Sequence, residues 1–179
     1  MVCNRCKMEV KSELEKLGLR DCIVKLGEAI IPDNVSDDDI NRLRISLKEN
    51  GLEMLLDKKS ILVEKIKIAI IVLVHYKDEQ LKVNLSDYLS DKLDHNYTYL
   101  SNLFSELKGT SIEHYYLAQK IERAKELIIY DELNLSEIAF KLHYSSVAHL
   151  SNQFRKMTGL TPSQYKKLKN HNRRGLVNV

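Results

Sequence analysis

The feature that most constrains this chain is a repeat of itself at a fixed distance of 50 residues. Asn84-Leu85-Ser86 recurs as Asn134-Leu135-Ser136. Leu100-Ser101-Asn102 with Phe104 recurs as Leu150-Ser151-Asn152 with Phe154, Gly109 as Gly159 and Tyr115 as Tyr165. Nine identities at one offset are hard to obtain by chance. Two copies are too few for a solenoid, which needs about three or more. The pattern implies a duplicated small helical module.

Each copy reads as helix, tight turn, helix. In the second, Asn134 and Glu137 are spaced like a capping box. Leu135, Ile138, Ala139 and Leu142 then share one helical face. His143-Tyr144-Ser145 forms the turn, and a second helix starts near Ser146 with Val147, Leu150, Phe154 and Met157 on its apolar side. Gly159 stands where helices end, and Thr161-Pro162-Ser163-Gln164 opens another helix with a cap, a first-turn proline and a box-closing Gln. The first copy follows suit with Leu85, Tyr88, Leu89 and Leu93, a turn at Asp94-His95-Asn96, then Leu100, Leu103, Phe104 and Gly109. Its first helix is one residue longer and its turn one shorter, which preserves the outer offset. Between the copies, Ser111 to about Tyr130 reads as one long helix burying Tyr115, Leu117, Ile121, Ala124, Leu127 and Ile128.

The first 57 residues have a different grammar. Cys6 to Leu17 is a short helix stopped by Gly18; Cys22–Leu26 and Glu28–Ile31 read as two strands turning at Gly27; Ser36 caps a helix that stops at Asn50-Gly51. Leu52 to Leu56 reads as a closing strand, for an α-β-β-α-β order. The expected division is 1–57 for a small α+β domain, 58–79 for an apolar connecting helix expected to be buried, 80–170 for the duplicated helical domain and 171–179 for a tail. No stretch has the basic-then-apolar profile of a signal peptide. The longest apolar run, Ile68–Val74, has seven residues where a bilayer span needs about 20. A cytoplasmic protein without membrane contact is expected.

Charge is unevenly spread. The chain is +3 overall, but residues 84–115 carry two Lys/Arg against five Asp/Glu and residues 116–179 carry eleven against five. A polyanion is therefore expected to meet the C-terminal third first.

A helix-turn-helix can lay its second helix in the major groove of double-stranded DNA, where small hydrogen-bonding side chains reach base edges. In copy two the exposed positions are Ser145, Ser146, Ala148, His149, Ser151, Asn152 and Arg155, with Val147 beside them. In copy one they are Thr98, Tyr99, Ser101, Asn102 and Ser105. Asn pairs bidentately with adenine, and two such helices could enter successive grooves about 34 Å apart.

These residues carry a resemblance. Ile121-Glu122-Arg123-Ala124-Lys125-Glu126-Leu127, Leu135-Ser136-Glu137-Ile138-Ala139, Phe154-Arg155-Lys156 and Thr158-Gly159-Leu160-Thr161-Pro162-Ser163-Gln164-Tyr165 resemble the DNA-binding domain of AraC/XylS transcription regulators. The match spans about residues 80–170. It implies seven helices, base contacts from both second helices and phosphate contacts from helix ends and basic residues. Two departures stand out: His143 replaces the usual turn glycine, and Asn102 and Asn152 stand where relatives often present Arg or Gln. With copy one acidic, copy two is expected to bind more strongly.

All three cysteines, Cys3, Cys6 and Cys22, fall in the first 22 residues; an odd count in a chain expected to be cytoplasmic argues against a disulfide framework and towards metal or redox chemistry, or no chemistry at all. Met1-Val2-Cys3-Asn4-Arg5-Cys6 followed by α-β-β-α-β resembles the heavy-metal-associated, ferredoxin-like fold, without the strand that precedes the motif there. That resemblance implies Cu(I) or Zn(II) held by Cys3 and Cys6; a purely structural or dimerising role is the alternative. The six histidines make no spaced cluster with the cysteines, and no phosphate loop, nucleophile elbow or catalytic carboxylate pair is present. The sequence thus points to a mainly α, non-enzymatic transcription regulator with a double helix-turn-helix. Its expected partners are double-stranded DNA, the transcription machinery and a second copy as a homodimer. The competing reading is a soft-metal chaperone or buffer whose helical half docks a partner.

Overall fold

The computed structural model describes residues 3–19, 21–32, 35–55, 57–76 and 83–168. The chain divides into two compact units, Met1–Ile68 and Ala69–Val179, with the division falling inside one helix.

The first unit begins with α1 (Asn4–Lys16), followed by β1 (Ile23–Lys25), β2 (Glu28–Ile30) and α2 (Asp37–Glu49). Gly18 and Gly51, both at positive φ, end the two helices, and the next residue's amide reaches back to a carbonyl five positions earlier (Leu19 to Leu14, Leu52 to Leu47). Ser36 caps α2 by accepting from the Asp39 amide, and three aspartates occupy its first turn, where the helix dipole favours them. The strands pair antiparallel, Ile23 opposite Ile30, across a turn at Gly27. Val10, Leu14, Leu43 and Leu47 form the core. The Glu13 carboxylate is buried with them and accepts from Ser46, which ties α1 to α2.

The expected closing strand is not formed by residues 52–55, which are irregular; residue 56 lies outside the described residues, among which the sheet has two strands. Leu52 and Met54 do pack on the core, so their alternation reported burial rather than ladder pairing. The ferredoxin-like expectation is therefore met only in the order α-β-β-α.

The apolar helix α3 runs Lys58–Ile71 and continues as a π-helical turn, Val72–Tyr76; the expected end at residue 79 lies outside the described residues. Val63, Ile66, Ile70 and Ile71 are buried.

The second unit contains α4 (Leu85–Leu93), α5 (Tyr97–Lys108), α6 (Ile112–Tyr130), α7 (Leu135–Lys141), α8 (Val147–Thr158) and α9 (Pro162–Lys166). Between 80 and 170 the described residues thus hold six α-helices rather than seven; the additional helical element is the π-turn before residue 80, which packs on α6. The duplication survives in three dimensions. Helix caps fall at Asn84 and Asn134, Asn96 and Ser146, Ser111 and Thr161, and the helix-ending glycines are Gly109 and Gly159. Phe104 meets Tyr115 at 5.6 Å between ring centroids, and Phe154 meets Tyr165 at 5.4 Å. Helix α6 touches α5 on one side of the duplication and α7, α8 and α9 on the other. Ile121, Ala124, Leu127 and Ile128 of α6 join Ile138, Ala139, Leu150, Phe154 and Tyr165 in the core of copy two. Leu117, expected in the core, is only partly buried.

Candidate nucleic-acid interface

Local hydrogen bonds fix the angle at which each second helix leaves its turn. In copy two, Asn134 Oδ1 accepts from the amides of Ser136 (2.9 Å) and Glu137 (3.0 Å), while Glu137 Oε2 accepts from the Asn134 amide (2.7 Å), completing the expected capping box. At the other end of α7, the His143 amide donates to Phe140 O (2.9 Å) and the Tyr144 amide to Ala139 O (2.8 Å). This is a Schellman turn, whose left-handed position normally belongs to glycine. His143 occupies it with φ 55°. In copy one the left-handed residue is Asp94, φ 54°, one position later relative to the repeat. The longer first helix and shorter turn expected for copy one are therefore present.

The second helices start alike. Ser146 accepts from the His149 amide (3.0 Å) and Asn96 from the Thr98 amide (2.8 Å). An aromatic ring braces each start: His149 packs edge-on against Tyr144 at 5.2 Å, and Tyr99 against His95 at 5.7 Å. Leu150 and Phe154 anchor α8 from below, as Leu100, Leu103 and Phe104 anchor α5. The opposite faces hold the sequence-derived candidates. Ser145, Ser146, Ala148, His149, Asn152 and Arg155 are exposed in copy two, as are Thr98, Tyr99, Asn102 and Ser105 in copy one. Val147, Ser101 and Ser151 are half-buried at the edges. Ser145 Oγ and His149 Nδ1 lie 3.0 Å apart, so these two candidates act as one pair.

The copies differ in ways composition could not resolve. Arg155 and Lys156 close α8 where copy one has Ser105 and Glu106. Tyr97 donates to Glu113, tying α5 to the start of α6; Val147 and Ser163 stand at the equivalent positions. Burial first, and then the Glu113 carboxylate, raises the Tyr97 phenol far above its ordinary range.

The positive charge of the C-terminal third is partly spent internally. Arg123 pairs with Glu126 (2.6 Å), Lys125 with Glu122 (2.6 Å) and Lys166 with Asp131. Among the described residues of that stretch, Arg155, Lys156 and Lys167 are exposed and make no ion pair. Lys120 is buried, with its Nζ 3.9 Å from the Tyr144 ring centroid and 5.5 Å from that of Tyr116. Burial pulls its pKa down to about 8. The Tyr144 hydroxyl is buried without a hydrogen-bond partner among the described residues, and burial raises its pKa far above the ordinary range.

The candidate metal or thiol pair lies in the other unit. Cys3 is the N-cap of α1 and Cys6 sits in its first turn, with their sulfurs 3.4 Å apart. The Cys6 amide, above all, holds the Cys3 thiol below its ordinary pKa, with the Cys6 thiol and Arg5 amide adding to it against burial. Cys22 packs on the hydrophobic core, and burial raises its pKa. No group of three or more His, Cys, Asp or Glu among the described residues could hold a metal. Two thiols suit a two-coordinate soft ion such as Cu(I); they do not make the four-ligand set of a structural Zn(II) site.

Comparison with known proteins bears on the second unit. Residues 89–168 match the model of a helix-turn-helix domain. The chain is 29% identical over 100 residues to the HTH-type transcriptional regulator YtdP of Bacillus subtilis, covering 56% of this chain and 13% of that one. It is also 29% identical over 93 residues to an HTH-type transcriptional regulator of Staphylococcus aureus, covering 52% and 12%. Residues 89–168 are thus similar to a helix-turn-helix domain.

The fold agrees with that of the C-terminal domain of AraT, a response regulator from Geobacillus stearothermophilus, with a TM-score of 0.52, 24% identity and 65% of this chain and 97% of that one covered. A transcriptional regulator from Chromobacterium violaceum gives a TM-score of 0.50 at 21% identity, covering 60% and 96%. The chain spans 13% and 12% of the length of the two sequence relatives, and the helix-turn-helix match lies at residues 89–168. No helix among the described residues is long and apolar enough to cross a membrane.

Proposed function

We propose that the AraC-type unit binds double-stranded DNA in a sequence-dependent way, α8 and α5 each entering a major groove, and that the chain thereby regulates transcription. The observation that carries this reading is the α8 face. His149, Asn152 and Arg155 of α8, with Ser145 and the N-cap Ser146 just before it, are exposed, while Leu150 and Phe154 of the same helix are buried. Donors and acceptors fixed to a rigid helix are what base-edge readout needs. Copy two supplies most of the affinity, because Arg155 and Lys156 flank its reading face while copy one presents Glu106 at the matching place. The names of the relatives, HTH-type transcriptional regulators, support the same reading. A randomised-DNA selection with the full chain tests it. The expected result is an enriched motif with binding that weakens steeply as salt rises; selection that enriches no sequence refutes it.

The finer part of the proposal concerns Cys3 and Cys6. Their sulfur separation and the lowered Cys3 pKa suit reversible thiol chemistry or a Cu(I) ion, either of which would make the first unit a sensor. Measuring DNA affinity for the wild type and for Cys3→Ser with Cys6→Ser, with and without Cu(I) or oxidant, tests that step. A response that survives both substitutions refutes it. Homodimerisation and contact with the transcription machinery follow from the regulatory reading as expectations for the assembled protein.

A further inference from the structure

A cavity of about 250 Å³ opens beside α6 within the C-terminal unit. Leu73 and Val74 of the π-turn, with Leu85 of α4, supply apolar wall; Lys120, Lys141 and His143 supply polar wall. We propose that this cavity binds a small organic anion, a carboxylate on a compact apolar body, with Lys120 as its charge partner.

Three observations lead there. Lys120 is only 7% exposed, yet makes no ion pair or hydrogen bond among the described residues; its ammonium meets only the faces of Tyr144 and Tyr116. A buried charge without a counter-charge is costly, and proteins ordinarily pair it. The neighbouring buried carboxylate of α6, Glu122, does have its partner in Lys125. With a pKa of about 8, Lys120 remains mainly ammonium at neutral pH. Finally, 250 Å³ is room for about eight waters at liquid density, which suits a single-ring carboxylate and is too small for a nucleotide.

The position gives such an occupant something to act on. Lys141 ends α7, and His143 is the left-handed residue of the turn that aims α8. An anion seated against them biases that turn and so the presentation of the reading face. This consequence rests on the DNA-binding proposal; the binding site itself does not.

The test is a titration of the full chain, first without DNA, followed by protein-observed NMR. Benzoate is the probe, with benzyl alcohol as its uncharged counterpart and inorganic phosphate as a non-apolar anion. Saturable benzoate binding is expected, about tenfold or more tighter than benzyl alcohol, and reduced by a similar factor in Lys120→Met. Equal binding of benzoate and benzyl alcohol to the wild type overturns the proposal without recourse to any variant. So does tighter binding of phosphate, undiminished binding by folded Lys120→Met, or no saturable binding at all. Repeating the titration with a selected duplex separates the two claims: DNA affinity indifferent to bound benzoate overturns the action on α8 alone.

Discussion

Replacing Lys120 with methionine should stabilise the C-terminal unit at neutral pH. The side chain is nearly fully buried and lacks a carboxylate partner among the described residues. Burial lowers its pKa from 10.5 to about 8, which corresponds to about 3 kcal/mol of destabilisation while the folded state must hold an ammonium. A gain of up to about 3 kcal/mol is therefore expected for Lys120→Met, whose thioether chain keeps much of the stem's apolar contact. The gain depends on pH in a defined direction. Because the folded pKa lies below the unfolded one, wild-type stability rises as pH climbs from about 8 towards 10.5, and the advantage of Met disappears over that window. Urea unfolding of both proteins at pH 7 and pH 10, in buffer free of organic anions, measures this. A Lys120→Met protein less stable than the wild type at pH 7, or a difference that ignores pH, refutes the account of Lys120 as an uncompensated buried charge.

Tyr144→Phe removes a buried hydroxyl that lacks a partner among the described residues, so urea unfolding should find it neutral or stabilising by about 1 kcal/mol rather than destabilising. Asn134→Ala deletes the acceptor for two amides at the start of α7 and should lower stability by about 1 kcal/mol in the same assay. In the first unit, mass-spectrometric mapping of iodoacetamide labelling near pH 7 should find Cys3 modified well before Cys22, because the first thiol's pKa is lowered and the second's raised; the reverse order contradicts the helix-start reading.

The C-terminal unit was legible because duplication and capping are local signals. The spacing from Asn134 to Glu137 announces a capping box wherever the helix goes, and the offset that relates Tyr115 to Tyr165 survives as two matching aromatic pairs. Even the one-residue difference between the turns could be read, since Asp94 and His143 interrupt their patterns at different points. What failed depended on neighbours. Leu52 and Met54 alternate like a strand, but alternation reports which side chains are buried, not whether an edge is available to pair. Helix α6 is covered by the π-turn and by α5, α7, α8 and α9. Polar positions such as Gln119, Lys120 and Glu122 therefore end up inside. Sequence periodicity carries no sign of that enclosure.

The claim at the centre is that the exposed faces of α8 and α5 read base sequence, with α8 dominant. The direct measurement is the affinity of the selected duplex for Asn152→Ala and Asn102→Ala, each compared with duplexes altered one base pair at a time. Asn152→Ala should lose about 10- to 100-fold and lose its discrimination at one adenine position, as expected when a bidentate base contact is removed, while Asn102→Ala should lose less. Wild-type binding that neither substitution weakens, with discrimination intact at every position, would contradict the account.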